Sequence, residues 1–203
     1  MKEENIFTIA DDLHKSYGAI KDTCTKAGKE FIDVWMGESA STSDPNTFIG
    51  SSSLAACTGI AVVARDINSK VHRFVAHASS QKTDIAPLLA DLSRFLSEIT
   101  NYSTNNENLK SIEVNLVSSQ RFRNKDNYLP QENFILNELQ SLLKPFPHLI
   151  GFKRAFFLAL DPAGELLLPD PNITQEYLGK LTRLGNNYDF RNGMEHLPKE
   201  VEN

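Results

Sequence analysis

The 203-residue chain has two cysteines, one tryptophan, no surplus of basic charge, and no apolar run longer than that from Ala155 to Leu160. Each shortage removes a class of protein. A bilayer span needs about 20 consecutive apolar residues, so no transmembrane helix and no membrane partner are expected. With 21 basic residues against 26 acidic ones and a formal charge of −5, no basic face is expected to draw in nucleic acid by counterion release. Cys24 and Cys57 cannot make a disulfide framework, and they read as free thiols of a reducing compartment. The opening Met1-Lys2-Glu3-Glu4 lacks the basic and apolar regions of a secretory signal. That points to the cytoplasm, or to export by a machinery that reads no signal peptide. Cys-x-x-Cys, His-x-x-x-His and His-Glu-x-x-His spacings are absent, so no metal is expected. There is no Gly-rich phosphate loop and no regular βαβ alternation, which argues against a nucleotide-binding Rossmann domain.

What is present is ordinary globular composition, 40% hydrophobic and 23% charged, enough for one domain of roughly 150 residues with terminal additions. Thr8 and Asp11 resemble a capping box. Ile9, Leu13, Tyr17, Ile20, Cys24 and Ala27 then recur at helical spacing, predicting an amphipathic helix that ends near Gly28. Phe31 to Met36 reads as a strand and Gly37 to Pro45 as a loop. Gly59 to Ala64, a turn at Asp66 to Ser69, and Val71 to Ala78 read as a buried hairpin. Thr83 or Asp84 caps a helix carrying Ile85, Leu88, Leu92 and Leu96. Alternation at Ile112, Val114 and Leu116 predicts a strand, and Ile135 to Leu143 a helix stopped by Pro145 and Pro147. Arg154 to Leu160, the turn Asp161 to Gly164, and Glu165 to Leu168 predict a second hairpin. A short helix from Ile173 to Leu184 and a loose tail from residue 186 complete the chain. The expected class is α/β of the α+β kind, a mostly antiparallel sheet sandwich flanked by helices. Residues 1–28 form an N-terminal helical extension, 29–170 the domain, and 171–203 the C-terminal helix and tail.

Chemistry is sought first at the cysteines, because a thiolate needs a polarising neighbour and an element terminus can supply one. Cys24 lies on the apolar stripe of the first helix and reads as a small core residue. Cys57 ends the run Ser51-Ser52-Ser53-Leu54-Ala55-Ala56-Cys57, whose small residues let a carbonyl approach backbone N–H groups. Ala56 and Thr58 flank that candidate oxyanion site. A hairpin turning at residues 66 to 70 brings the end of Val71 to His77 back beside Cys57. His77 is therefore the candidate base, with His72, on the other face of the strand, as the alternative. His14, His148 and His196 read as surface or loop residues, and no carboxylate is assigned to catalysis.

Four features follow one another in order. Gly37-Glu38 comes after a strand; Ser51 to Cys57 leads to the thiol; an apolar strand, an Asp-led turn and a strand ending in His77 come next; an Arg-led hairpin spans Arg154 to Leu168. In this order the stretch from Phe31 to Leu168 resembles the CheD family of chemoreceptor glutamine deamidases, whose fold is shared with cytotoxic necrotizing factor toxins. Val114 to Phe122 is similar to the family's strand and glycine-rich loop. The family's glycines before the nucleophile stand here as Ala55 and Ala56, and its glycine pair as Ser118-Ser119. The resemblance implies a cysteine hydrolase with Cys57 as nucleophile, His77 as base and Ser51 as the hydroxyl that orients it, Ser52 and Ser53 being near alternatives. It further implies no cofactor, a protein substrate bearing a target glutamine, and conversion of that glutamine to glutamate through a thioester. The extra N-terminal helix suggests a different target from the chemotaxis enzymes, such as a host protein reached by an exported effector. A silent protein-binding module and a transglutaminase using the same thioester are the alternatives.

Overall fold

The computed structural model describes residues 6–54, 57–79, 82–100, 108–118, 130–170 and 172. Its elements run α1 (Ile6–Lys26), β1 (Glu30–Asp33), β2 (Ser39–Thr42), β3 (Thr47–Ser51), β4 (Thr58–Asp66), β5 (Val71–Ala78), α2 (Lys82–Ile99), β6 (Leu109–Ser118), α3 (Pro130–Leu143), β7 (His148–Arg154), β8 (Leu158–Leu160) and β9 (Leu166–Leu167). The expected mixed α+β class holds. The strands form a five-stranded sheet in the order β2-β5-β4-β6-β7 and a four-stranded sheet in the order β1-β3-β8-β9.

The central strand β4 explains the layering. Ile60, Val62 and Ala64 join the buried cluster with Leu88, Leu92 and Leu96 of α2 and Ile135 and Leu139 of α3. The alternate residues Ala61 and Val63 pack instead with Ile49, Leu158 and Leu160 of the smaller sheet. A strand covered on both faces must be apolar at every position, which is why Gly59 to Ala64 shows no alternation. Helix α1 closes the far side of the smaller sheet. Leu13, Tyr17 and Cys24 are buried, and the Tyr17 ring meets Phe31 at 5.6 Å and Phe157 at 5.3 Å. Tyr17 donates its hydroxyl to Asp33 at 2.7 Å, and Lys21 pairs with the same carboxylate at 2.6 Å. The layers therefore run α1, small sheet, large sheet, α2 with α3.

Several expectations change. Helix α1 starts at Ile6, ahead of Thr8, and α2 starts at Lys82. The segment read as a loop from Gly37 to Pro45 contains β2, which pairs antiparallel with β5 in the register Ser39↔Ala76. Strand β3 was not expected at all; it lies between β1, parallel to it, and β8, antiparallel. Arg154 to Leu160 is not one strand. Arg154 ends β7 in the large sheet, and Leu158 begins β8 in the small one. Although regular alternation is absent, β6, α3 and β7 do form one parallel βαβ crossover. The expected helix from Ile173 and the tail fall outside the described residues.

A buried arginine ties the sheets together. Arg73 of β5 is fully buried and donates to the backbone carbonyls of Asp44, Thr47 and Asp161. Desolvation pulls its pKa down, while the charges of Asp161 and Asp44 oppose that shift. At the opposite end of β5, the same inner face presents His77.

Candidate active site

Ser51 is the last residue of β3, held between Asp33–Val34 on one side and Leu158 on the other: Val34 N–H donates to Gly50 O at 2.8 Å, and Ser51 pairs with Leu158. The side chain is completely buried. Its hydroxyl donates to Val34 O at 2.7 Å and lies 2.8 Å from Nδ1 of His77. A carbonyl cannot donate, so the single hydroxyl proton belongs to the Val34 bond, and Oγ must accept from His77 Nδ1–H. The hydrogen-bond network thus assigns the Nδ1–H tautomer and leaves Nε2 unprotonated. Nε2 is buried and has no hydrogen-bond partner among the described residues.

Cys57 stands one residue ahead of β4, where Thr58 pairs with Ala78 and Gly59 with His77. Period-two alternation puts Cys57 on the side of Gly59, Ala61 and His77, the layer between the sheets. Its inclusion in the cluster with Val34, Leu54 and Val75 agrees. Continued one step, the register sets Cys57 diagonally across from His77, a relation with β-carbons ~7 Å apart in a regular ladder. Gly59 stands at the intervening position because the Leu158 and Leu54 side chains fill the space that a Cβ there would need.

No hydrogen bond joins the thiol to the imidazole. Cys57 donates to the thioether of Met36 at 3.7 Å. Burial raises the thiol's pKa. Burial also lowers His77 from 6.5 to about 4, against the opposing pull of the Val34 carbonyl. The resting pair is therefore neutral thiol and neutral imidazole, not thiolate and imidazolium. Such a site can move a proton from sulfur to Nε2 only once the thiol turns toward the ring.

The other sequence candidates are placed as follows. Ser52 is half-buried, and Ser53 is exposed with φ of 63°; Ser51 is the serine that meets His77. His72 sits at the turn end of the hairpin opposite Ala64, six strand steps and so about 20 Å from the Cys57 end. Its Nε2 lies 3.5 Å from Asp66, so the alternative base is not at the site. Thr58 is buried at the start of β4, whereas Ala55 and Ala56 lie outside the described residues. His14 stacks edge-on with Phe156 at 5.1 Å, His148 bonds Phe146 O through Nδ1 at 2.9 Å, and His196 is outside the described residues. Cys24 is a buried helix residue, as expected. Among the described residues no group of three His, Cys, Asp or Glu side chains gathers as metal ligands, and no helix is long and apolar enough to cross a membrane.

Two participants were not foreseen. One is the Val34 carbonyl, a backbone atom that any residue would supply. The other is Met36, whose only sequence signal is a pair of large apolar residues, Trp35 and Met36, directly before a glycine turn.

No protein-family model matches the chain, and no curated protein matches it. Among solved structures it is similar to the crystal structure of the hypothetical protein YfiH from Bacillus licheniformis, at 15% identity and a TM-score of 0.29. The match covers 70% of this chain and 45% of that one, so this chain spans less than half the length of that protein.

Proposed function

We propose that this chain is a cysteine-dependent protein glutamine deamidase related to the CheD family, acting through Cys57, His77 and Ser51. The observation that carries this reading is the Val34–Ser51–His77 chain of hydrogen bonds. It fixes one imidazole tautomer and leaves a buried Nε2, without a partner among the described residues, in the layer that also holds a cysteine. A histidine needed only for packing gains nothing from an orphaned nitrogen, which costs about 1–3 kcal/mol to bury.

In this reading the target glutamine's side chain enters at Cys57. His77 Nε2 takes the thiol proton as sulfur attacks the amide carbon, with the backbone N–H groups around Cys57 and Thr58 facing the developing oxyanion. The imidazolium returns that proton to the departing nitrogen, ammonia leaves, and a thioester remains. Water, deprotonated by His77, then attacks the thioester, giving glutamate and restoring the thiol. Ser51 keeps the ring in its useful tautomer and is a positioning residue. The thiol, the base and the N–H groups suffice without a cofactor, and the substrate is a protein. The excess of acidic over basic residues fits a protein partner better than a nucleic acid, and the extra N-terminal helix fits a cytoplasmic enzyme or an exported effector. An amine in place of water would make the same thioester a transglutaminase intermediate.

The thiol's bond to Met36 rather than to His77 favours a second reading, a catalytically silent module that binds a protein partner through the same surface. A glutamine peptide carrying an electrophilic diazoketone in place of the amide separates the two. The enzyme adds one such label at Cys57, detected by intact mass and peptide mapping, and loses it in His77→Gln. Labelling of Cys57 no faster than that of Cys24 would favour the silent module.

A further inference from the structure

Trp35 and Met36 are the most conspicuous apolar residues in solvent beside the site, 67% and 64% exposed. They occupy the first half of a tight turn. Glu38 N–H donates to Trp35 O at 2.9 Å, and Gly37 takes φ of 83° at the third position, which a type II turn reserves for glycine. The turn is fastened to the backbone of the histidine itself, Gly37 N–H to His77 O at 2.9 Å and His77 N–H to Glu38 O at 3.0 Å. With the Met36 backbone fixed in this way, its side chain remains free to swing about three rotatable bonds. In the structure that side chain reaches the Cys57 thiol, which is only 8% exposed.

Resting on the reading of Cys57 as nucleophile and His77 as base, we infer that Met36 is a positioning residue that gates the thiol. Its thioether both covers Cys57 and accepts the S–H bond, turning the proton away from His77 Nε2 until a substrate chain displaces the methionine. Three observations converge on this: the S–H to thioether bond, the orphaned Nε2, and an exposed apolar pair at the mouth of a site whose nucleophile is covered. Trp35, adjacent and exposed, supplies apolar surface for the entering polypeptide. Among the described residues, the ionisable side chains on the turn and strand fastened together beside the thiol include His77 on β5 and Glu38 of the turn, whose carboxylate accepts Trp35 N–H at 3.3 Å. The gate keeps the thiol un-ionised without substrate, which protects it from oxidants that attack thiolates.

The test is the rate of iodoacetamide alkylation of Cys57 across pH in the full chain, with Cys24 as an internal check on folding. Met36→Leu removes the acceptor but keeps the cover. It is expected to lower the pH midpoint of alkylation by about half a unit, as loss of one weak hydrogen bond implies, while leaving the limiting rate at high pH unchanged. Met36→Ala removes both, and is expected to show the same lowered midpoint together with a limiting rate about fivefold higher. In a His77→Gln background the midpoint shift should persist, because it comes from the lost thioether acceptor and not from the base. A midpoint unmoved in both Met36 variants, or a shift that disappears in His77→Gln, overturns the inference. Because no substrate is present, absence of deamidation would leave these outcomes unchanged, so failure of the gate and failure of the deamidase reading remain separate results.

Discussion

Acidification is expected to destabilise this protein partly through one imidazole. The His77 ring is 3% exposed, and burial takes its pKa from 6.5 to about 4. Between those values the unfolded chain binds a proton that the folded chain refuses, so stability falls as pH falls. The contribution is present in full above pH 6.5 and is gone once the pH has dropped through about 4. At ~1.4 kcal/mol per unit, a displacement of this size amounts to about 3 kcal/mol. Carboxylates titrate over part of the same range, so the informative quantity is a difference. Urea unfolding of the wild type and of His77→Gln, measured at intervals from pH 7 to pH 4, should give two stability curves that converge toward low pH by that amount. Parallel curves would refute the argument, because they would mean that His77 protonates in the folded protein as readily as in the unfolded one.

Other consequences follow from the packing. Arg73→Ala leaves three backbone carbonyls without their buried donor and should cost about 4 kcal/mol by urea denaturation. Arg73→Lys should recover less than half of that, since an ammonium cannot reproduce the guanidinium fork. Tyr17→Ala, which empties the contact of α1 with Phe31 and Phe157, should cost about 4 kcal/mol, while Tyr17→Phe, losing only the bond to Asp33, should cost about 1 kcal/mol. A loss under about 1 kcal/mol in the alanine variant would show that the helix is not docked as described. Asp66 accepts the Asn68 and Lys70 N–H groups, both at 2.9 Å, at the β4–β5 turn. Asp66→Ala should therefore cost about 2 kcal/mol, read as a lowered midpoint with an unchanged denaturant slope.

The sequence was most informative where burial and turn chemistry agree. The β4–β5 hairpin is legible because a run apolar on both faces meets an Asp-led turn, and Asp66 does bind the backbone of that turn. Helices α1, α2 and α3 are legible from one-sided periodicity. Strand β2 is not, since Ser39-Ala40-Ser41-Thr42 is a half-exposed edge whose identity comes from pairing with β5 rather than from its own residues. Strand β7 follows two prolines and carries Gly151, so nothing local marks it. The division of the chain at Arg154 into one sheet and at Leu158 into the other is a tertiary event with no local signature. At the site, Cys57 and His77 were approached through strand pairing, and Ser51 through family resemblance. The Val34 carbonyl was invisible because backbone acceptors carry no residue code. Met36 was invisible because its partner is a sulfur met only after folding.

The most direct measurement of the central claim is release of ammonia from a pool of glutamine-bearing proteins, with the modified peptide identified by its amide-to-acid mass change. The account predicts release by the wild-type chain, none by Cys57→Ala or His77→Gln, and a reduced rate for Ser51→Ala, whose imidazole loses its hydroxyl partner. Ammonia released equally by wild type and Cys57→Ala would contradict it, as would folded wild-type protein that releases none from any glutamine-bearing pool.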